Sequence, residues 1–326
     1  MASGLYINFL IVSGVKMLRF LTLFTFTLCF AVTARAEDDQ TRYVIIHADD
    51  AGMCHSVNMA TIDSIENGIV NSSSIMVPCP WLKEYAEYCV NNPEGDYGLH
   101  LTLNSEWGTY RWTSVAPPSE VPSLHDPEGY MWGNLGDVAK HGLNNEVEKE
   151  LRAQIERALA FKIPVSHLDT HMGTVAARQD FLETYVNLGV EYNLPVLFVR
   201  FSNQAFPGLN AKKVAELVDR LDSNGLPVLD NLVQIYSEND YDKREQLYLD
   251  AFEALKPGVT QVIVHCGYAD DELRAVTSSA ERRDADHSIF TDPEFIEKIE
   301  AMDVKLITWK EFHEMAKAKL QTAKSK

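Results

Sequence analysis

The sequence predicts an α/β fold, read as a closed or nearly closed (β/α) barrel in a single domain, and three observations carry that reading. Short apolar, β-rich runs alternate with stretches of helical periodicity seven or eight times along the chain, the pattern of parallel strands joined by helical crossovers. No long linker, repeat or low-complexity segment divides them. Several strand candidates end in Asp or His, at the face where such a barrel keeps its chemistry. A doubly wound open sheet is the runner-up for the same set of elements.

Tyr43 to Ala48 reads as a buried strand that runs into Asp49-Asp50-Ala51-Gly52, and a helix follows from about Ser56 to Asn67, stopped by Gly68. Ser74 to Val77 is a second strand and Leu82 to Val90 a helix. In the third strand, Gly98 to Leu103, three leucines share one face while His100, Thr102 and Asn104 share the other. An irregular insertion near 105–140 carries Trp107, Tyr110, Trp112, Tyr130 and Trp132 among prolines and glycines. It suits either stacking on sugar faces, with Trp107 and Trp112 as the substrate contacts, or a satellite core tied down by its own aromatics. Val147, Leu151, Ile155, Ala158 and Leu159 then give a helical stripe. Val165 to Asp169, Val196 to Arg200, Val228 to Asp230, Gln261 to His265 and Lys305 to Thr308 are further strands. The clearest helix start is Thr291-Asp292-Pro293-Glu294, with a cap residue and an early proline. The domain spans 37–326, and its last ten Lys-rich residues read as a mobile tail.

With 326 residues, 46% hydrophobic and 23% charged, the chain has the composition of a globular protein rather than a disordered one. Lys+Arg 29 against Asp+Glu 47 gives a net charge of -18, which repels a polyanion and excludes nucleic acid as a partner. Lys16 and Arg19 precede an apolar run from Phe20 to Val32, and Ala34-Arg35-Ala36 offers a cleavage site, so residues 1–36 read as a signal peptide. The run is too short to span a bilayer comfortably. The expected location is periplasmic or secreted, with no stable membrane insertion after cleavage. Cleavage removes three cations and no acid, leaving a mature charge of -21. Cys54, Cys79, Cys89 and Cys266 have no regular spacing and read as buried free thiols.

Adjacent carboxylates at the end of a buried strand are costly unless paired, hydrogen-bonded or bound to a cation. A helix cap explains Asp50 but not Asp49 as well. His100 taken alone is more often a satisfied core histidine than a ligand. His167-Leu168-Asp169-Thr170-His171 places two histidines and an aspartate at another strand end, and His265-Cys266-Gly267-Tyr268 follows the buried run Val262-Ile263-Val264. Four strand ends bearing Asp and His together point to a metal or acid–base site.

The Ala-Asp-Asp-x-Gly segment, Gly98-Leu99-His100-Leu101-Thr102-Leu103, His167 to His171 and His265 to Tyr268 resemble, in order and spacing, the YdjC-like carbohydrate deacetylases, the family of the chitooligosaccharide deacetylase and of the hopanoid-biosynthesis deacetylase. The resemblance covers nearly all of the mature chain. It implies a distorted (β/α) barrel of about seven strands and one divalent metal ion held by Asp50, His100 and His171. It places the general base on Asp49 and the general acid on His265. The chain departs from the family pattern in three places. Met172-Gly173 lacks the last histidine of the His-x-His pair, Cys266 stands for proline, and Ala51 for an aromatic residue.

On this reading Asp169 orients a neighbouring histidine, and His167 is the reserve metal ligand. Arg200, closing another strand, either pairs with Asp49 or makes an ordinary ion pair. One carboxylate and two imidazoles suit Zn²⁺, Mn²⁺, Co²⁺ or Ni²⁺, while Mg²⁺ prefers more oxygen. The expected activity is deacetylation of an N-acetylated amino sugar or oligosaccharide. The alternatives are hydrolysis of another ester or amide, or non-catalytic carbohydrate binding. A homodimer is compatible with the sequence.

Overall fold

A computed structural model describes residues 40–200 and 209–325; the signal-peptide assignment to 1–36 lies outside the described residues. Seven strands form the sheet: β1 (Arg42–Ala51), β2 (Ser72–Ile75), β3 (Tyr97–Leu101), β4 (Val165–Thr170), β5 (Asn231–Gln234), β6 (Gly258–Val264) and β7 (Lys305–Leu306). Their order is β4-β3-β2-β1-β6-β5, with β7 beside the start of β1, and every pairing is parallel. Strands covered on both faces are apolar almost throughout. Val44, Ile45, Ile46, Val262, Ile263 and Val264 are accordingly all buried.

The two ends of the sheet are joined through residues 195–200. On one side the Leu197 N–H donates to the Leu168 carbonyl and the Leu168 N–H to that of Pro195; on the other the Arg200 N–H donates to the Leu229 carbonyl and the Leu229 N–H to that of Phe198, each at 2.8 Å. The result is the distorted barrel. The predicted strand Val196 to Arg200 survives only as isolated bridges. Likewise, regular pairing after Val228 begins only at Asn231. The tail is corrected too. A capping box of Thr308 and Glu311 starts a helix, Trp309–Lys324, which continues through residues expected to be mobile.

Alternation along each strand sorts its side chains. Leu99, Leu101 and Leu103 pack outward with Leu151, Ile155 and Ala158 of helix Asn144–Ala160, while Leu159 lies off this stripe and is 42% exposed. The opposite parity faces the barrel interior. The β3–β4 register sets Gly98 beside His167 and His100 beside Asp169, two successive layers about 6.6 Å apart along the strand. In the lower layer His167 is fully buried, stacked on Trp309 at 4.9 Å and edge-on to His47 at 5.0 Å. A Cβ on Gly98 would sit 2.3 Å from His167 Nε2, so glycine in this strand is the space that the imidazole fills. Gly98→Ala is expected to destabilise the fold by about 1–3 kcal/mol through overpacking. An unchanged denaturant midpoint for this variant would contradict that account.

Cys54, Cys79, Cys89 and Cys266 are free and buried, as expected. The insertion forms a satellite core: Trp112, 3% exposed, packs with Met53, Cys54, Val57, Met76, Cys79 and Met131. The Tyr110 hydroxyl donates to the Met53 carbonyl, and Arg111 ties Asp126 at 2.8 Å to the carbonyl of Met131 at 2.7 Å.

Candidate metal and catalytic centre

A cleft of about 1380 Å³ opens at the carboxyl ends of the strands, lined by Asp49, Asp50, His100, Asp169, His171 and His265 with Trp107 and Tyr236 in its walls. Strand alternation would send Asp49 and Asp50 to opposite faces. The end of β1 breaks that rule. Asp50 has φ +69 and Gly52 φ +86, so the chain turns sharply and both carboxylates enter the cleft. A left-handed aspartate is strained, and the turn is fixed by the Met53 N–H to Asp50 carbonyl bond at 3.1 Å and the Gly52 N–H to Asn58 Oδ1 bond at 2.6 Å.

Asp50 Oδ1 lies 3.4 Å from His100 Nε2 and 3.2 Å from His171 Nδ1. It is buried and makes no well-aligned hydrogen bond among the described residues. The outer atoms of the three residues are engaged in ways that aim these inner ones. His100 Nδ1 meets Ser74 Oγ at 3.0 Å and Asp169 Oδ2 at 3.5 Å; His171 Nε2 meets Glu106 Oε1 at 2.9 Å; Asp50 Oδ2 accepts from Arg283 Nη2 at 2.5 Å. A buried carboxylate oxygen flanked by two imidazole nitrogens whose far sides are fixed fits a divalent cation. The three ligand atoms lie within 4.8 Å of one another.

A second group, His47, Asp49 and Asp169, is equally close-set. Its His47 is fully buried and does not reach the cleft, with Nε2 at 3.3 Å from Asp49 and 3.2 Å from Asp169 and Nδ1 at 2.8 Å from Ser72 Oγ. His47 thus supports Asp49 and Asp169, which line the cleft, from the layer below. Asp49 Oδ2 in turn faces His100 Nε2 and His265 Nε2, each at 3.8 Å.

The charges follow from this crowding. Burial, then Asp169 and Asp50, raises the Asp49 carboxyl well above the usual range. For Asp50, burial also raises the pKa, but Arg283 and then His171 outweigh it and hold the group well below normal. Burial would lower the His171 pKa, yet Glu106 and Asp50 bring it to about 10. His265 is pushed down to about 3, mainly by burial, with Arg283 adding to the effect and Asp50 opposing it. Its backbone N–H is fixed at 2.9 Å by Asp286. That carboxylate is itself held in the core by Arg244 at 2.5 Å and Tyr248 at 2.8 Å.

Asp49, Asp50, His100, Asp169, His171 and His265 therefore converge as the sequence reading expected. Three residues do not join them. His167 is one layer deeper, sealed under Trp309, and belongs to neither close-set group of potential ligands. Arg200 pairs with Asp222 at 2.5 and 2.9 Å and not with Asp49, because its segment is a stave only through backbone bonds and its side chain turns outward. Trp112 is covered by its satellite core, leaving Trp107 as the tryptophan of the pair that lines the cleft. Sequence reasoning missed His47, Glu106, Arg283 and Asp286. Only His47 carried a local signal, since it shares the parity of Asp49 on β1.

Residues 43–301 match the family model described as YdjC-like protein. The chain belongs to the YdjC-like protein family. Relatives of this YdjC-like chain include a protein from Thermus thermophilus named carbohydrate deacetylase, 30% identical over 78% of this chain and 88% of that protein. One of the same name from Thermoanaerobacter pseudethanolicus is 25% identical over 82% and 98%. The fold is shared with a crystal structure from Enterococcus faecalis, described as a candidate cellobiose-phosphate cleavage protein, at TM-score 0.70 and 22% identity, covering 83% of this chain and 99% of that one. Gly173, where the sequence resemblance implies a histidine, has φ +65 and open space where a Cβ would stand.

Proposed function

We propose that this YdjC-like protein is a divalent-metal-dependent hydrolase that removes acetyl groups from N-acetylated amino sugars or their oligomers. The observation that carries the reading is the buried Asp50 Oδ1 set between His100 Nε2 and His171 Nδ1, with Asp49 and His265 beside it. The names of the relatives supply the substrate class. A bound Zn²⁺, Mn²⁺, Co²⁺, Ni²⁺ or Mg²⁺ would supply Lewis acidity and a water of lowered pKa.

Asp49 takes a proton from the attacking water, whose oxygen adds to the acetyl carbon. The carbon–nitrogen bond then breaks, the nitrogen gains a proton, and acetate and a free amine leave. His265 is neutral at rest, its pKa held near 3. Its Nε2 lies 3.8 Å from Asp49 Oδ2, on the cleft wall from which it can pass a proton to the leaving amine. Trp107 in the cleft wall offers a ring face to the sugar. The N-terminal basic and apolar segment supports export to the periplasm or medium.

The test is acetate release from N-acetylglucosamine oligomers. Protein stripped with a chelator is expected to be inactive and to recover with added divalent metal. Metal-loaded protein that frees no acetate from any acetylated sugar would overturn the reading.

A further inference from the structure

Arg283 comes from helix Ala280–Thr291 and reaches Asp50 across 233 residues of sequence. It is 5% exposed and lines the cleft. Two of its three guanidinium nitrogens are committed: Nη2 donates to Asp50 Oδ2 at 2.5 Å and Nε to Ser279 Oγ at 3.1 Å. The third, Nη1, is buried and has no partner among the described residues.

The contrast with Arg244 is instructive. That arginine is also buried, and all its nitrogens are used, by Asp286, Tyr248 and the carbonyls of Glu238 and Ile235. It is a structural arginine, satisfied as buried charges are expected to be. Arg283 is equally well anchored but leaves Nη1 buried without a partner among the described residues. Its stem has a place made for it as well: a Cβ on Gly267 would lie 3.1 Å from the Arg283 Cβ and 3.5 Å from its Cδ, and the Gly267 N–H donates to the Arg283 carbonyl at 3.2 Å.

The planar guanidinium fixes Nη1 next to Nη2, and hence next to Asp50, whose other oxygen faces the two imidazoles. We propose that Arg283 is a further catalytic residue of this site, with Nη1 donating to the acyl oxygen as the carbonyl π pair collects there. A preformed buried cation aimed at an oxygen that gains charge only in the transition state favours that state over bound substrate. The donor is returned unchanged when the carbon–nitrogen bond breaks and the carbonyl re-forms. This role rests on the deacetylase reading.

The competing role is positioning, in which Arg283 merely holds Asp50. Two measurements besides turnover separate them: metal affinity by calorimetry, and binding of a methylphosphonamide of glucosamine, a tetrahedral mimic of hydrated acetamide. Wild-type acetate release, measured first, decides the deacetylase reading by itself. Given turnover, Arg283→Lys is expected to lower kcat about 100-fold and weaken the phosphonamide about as much, with KM and metal affinity each within about threefold of wild type. Ser279→Ala, which frees Nε and leaves the Asp50 pair intact, is expected to lower kcat by roughly tenfold at unchanged metal affinity. The proposal is overturned if metal affinity falls in step with kcat, if phosphonamide binding is retained, or if both variants keep wild-type kcat.

Discussion

Asp49→Asn is expected to slow acetate release by about 10³-fold while metal content, measured on the same preparation, stays at the wild-type level. The separation of the two effects follows from position. Asp49 lies beside the Asp50, His100 and His171 group rather than in it, facing His47, His265 and His100 from 3.3 to 3.8 Å. Asparagine keeps the volume and part of the hydrogen bonding but cannot accept the proton. A pH profile sharpens the test. Burial and the nearby Asp169 and Asp50 charges raise the Asp49 pKa, and only the ionised carboxylate is a base. Activity is therefore present above that raised pKa and lost as pH falls through it. Asp169→Asn, by removing a negative neighbour, is expected to move the acid limb of kcat/KM to lower pH. A limb that stays in place, or an Asp49→Asn protein of near wild-type rate, would remove Asp49 from the role of base.

His100→Ala and His171→Ala are each expected to lose metal, with affinity reduced at least 100-fold and activity reduced with it, whereas His167→Ala should bind metal as wild type does. All three histidines are buried and the sequence spacing does not rank them. Depth in the barrel does. His100 and His171 sit in the layer that meets the cleft, and their outer nitrogens are fixed by Ser74 and Glu106. His167 is one layer below, stacked on Trp309, and its removal leaves a cavity in the core. Its substitution should therefore cost a few kcal/mol of stability without changing metal stoichiometry. Metal analysis and thermal unfolding of the three variants, run together, distinguish a ligand from a packing histidine. Metal loss in His167→Ala with retention in His171→Ala would reverse the assignment.

Glu106 extends the same logic to a residue with no signature of its own. It arises from the start of the insertion, and its carboxylate at 2.9 Å fixes the His171 ring. Arg283 and Asp286 arise from one helix late in the chain and brace Asp50 and the backbone of His265. Nothing near them in sequence marks them, because a helix presenting two charged residues inward looks locally like any charged helix. Arg200 took the second of its two readings, an ordinary ion pair, here with Asp222. Its place at the end of an apolar run suggested a strand end facing the site, but Pro195 has no N–H to give the ladder, and the segment pairs too irregularly to hold that side chain inward.

The sequence by itself determined the strand ends: Asp49-Asp50, His100, the Asp169 to His171 stretch and His265 each follow a β-rich run, and period-two alternation selects which residues face inward. It also determined the alternating architecture and the acidic, globular character of the chain. Only the tertiary structure decided which inward residues share a layer, because that depends on register between strands far apart in the chain, on the left-handed turn at Asp50, and on closure through residues 195–200. Side chains that orient the ligands approach from other elements, and long-range proximity of this kind leaves no periodic trace in the chain that encodes it.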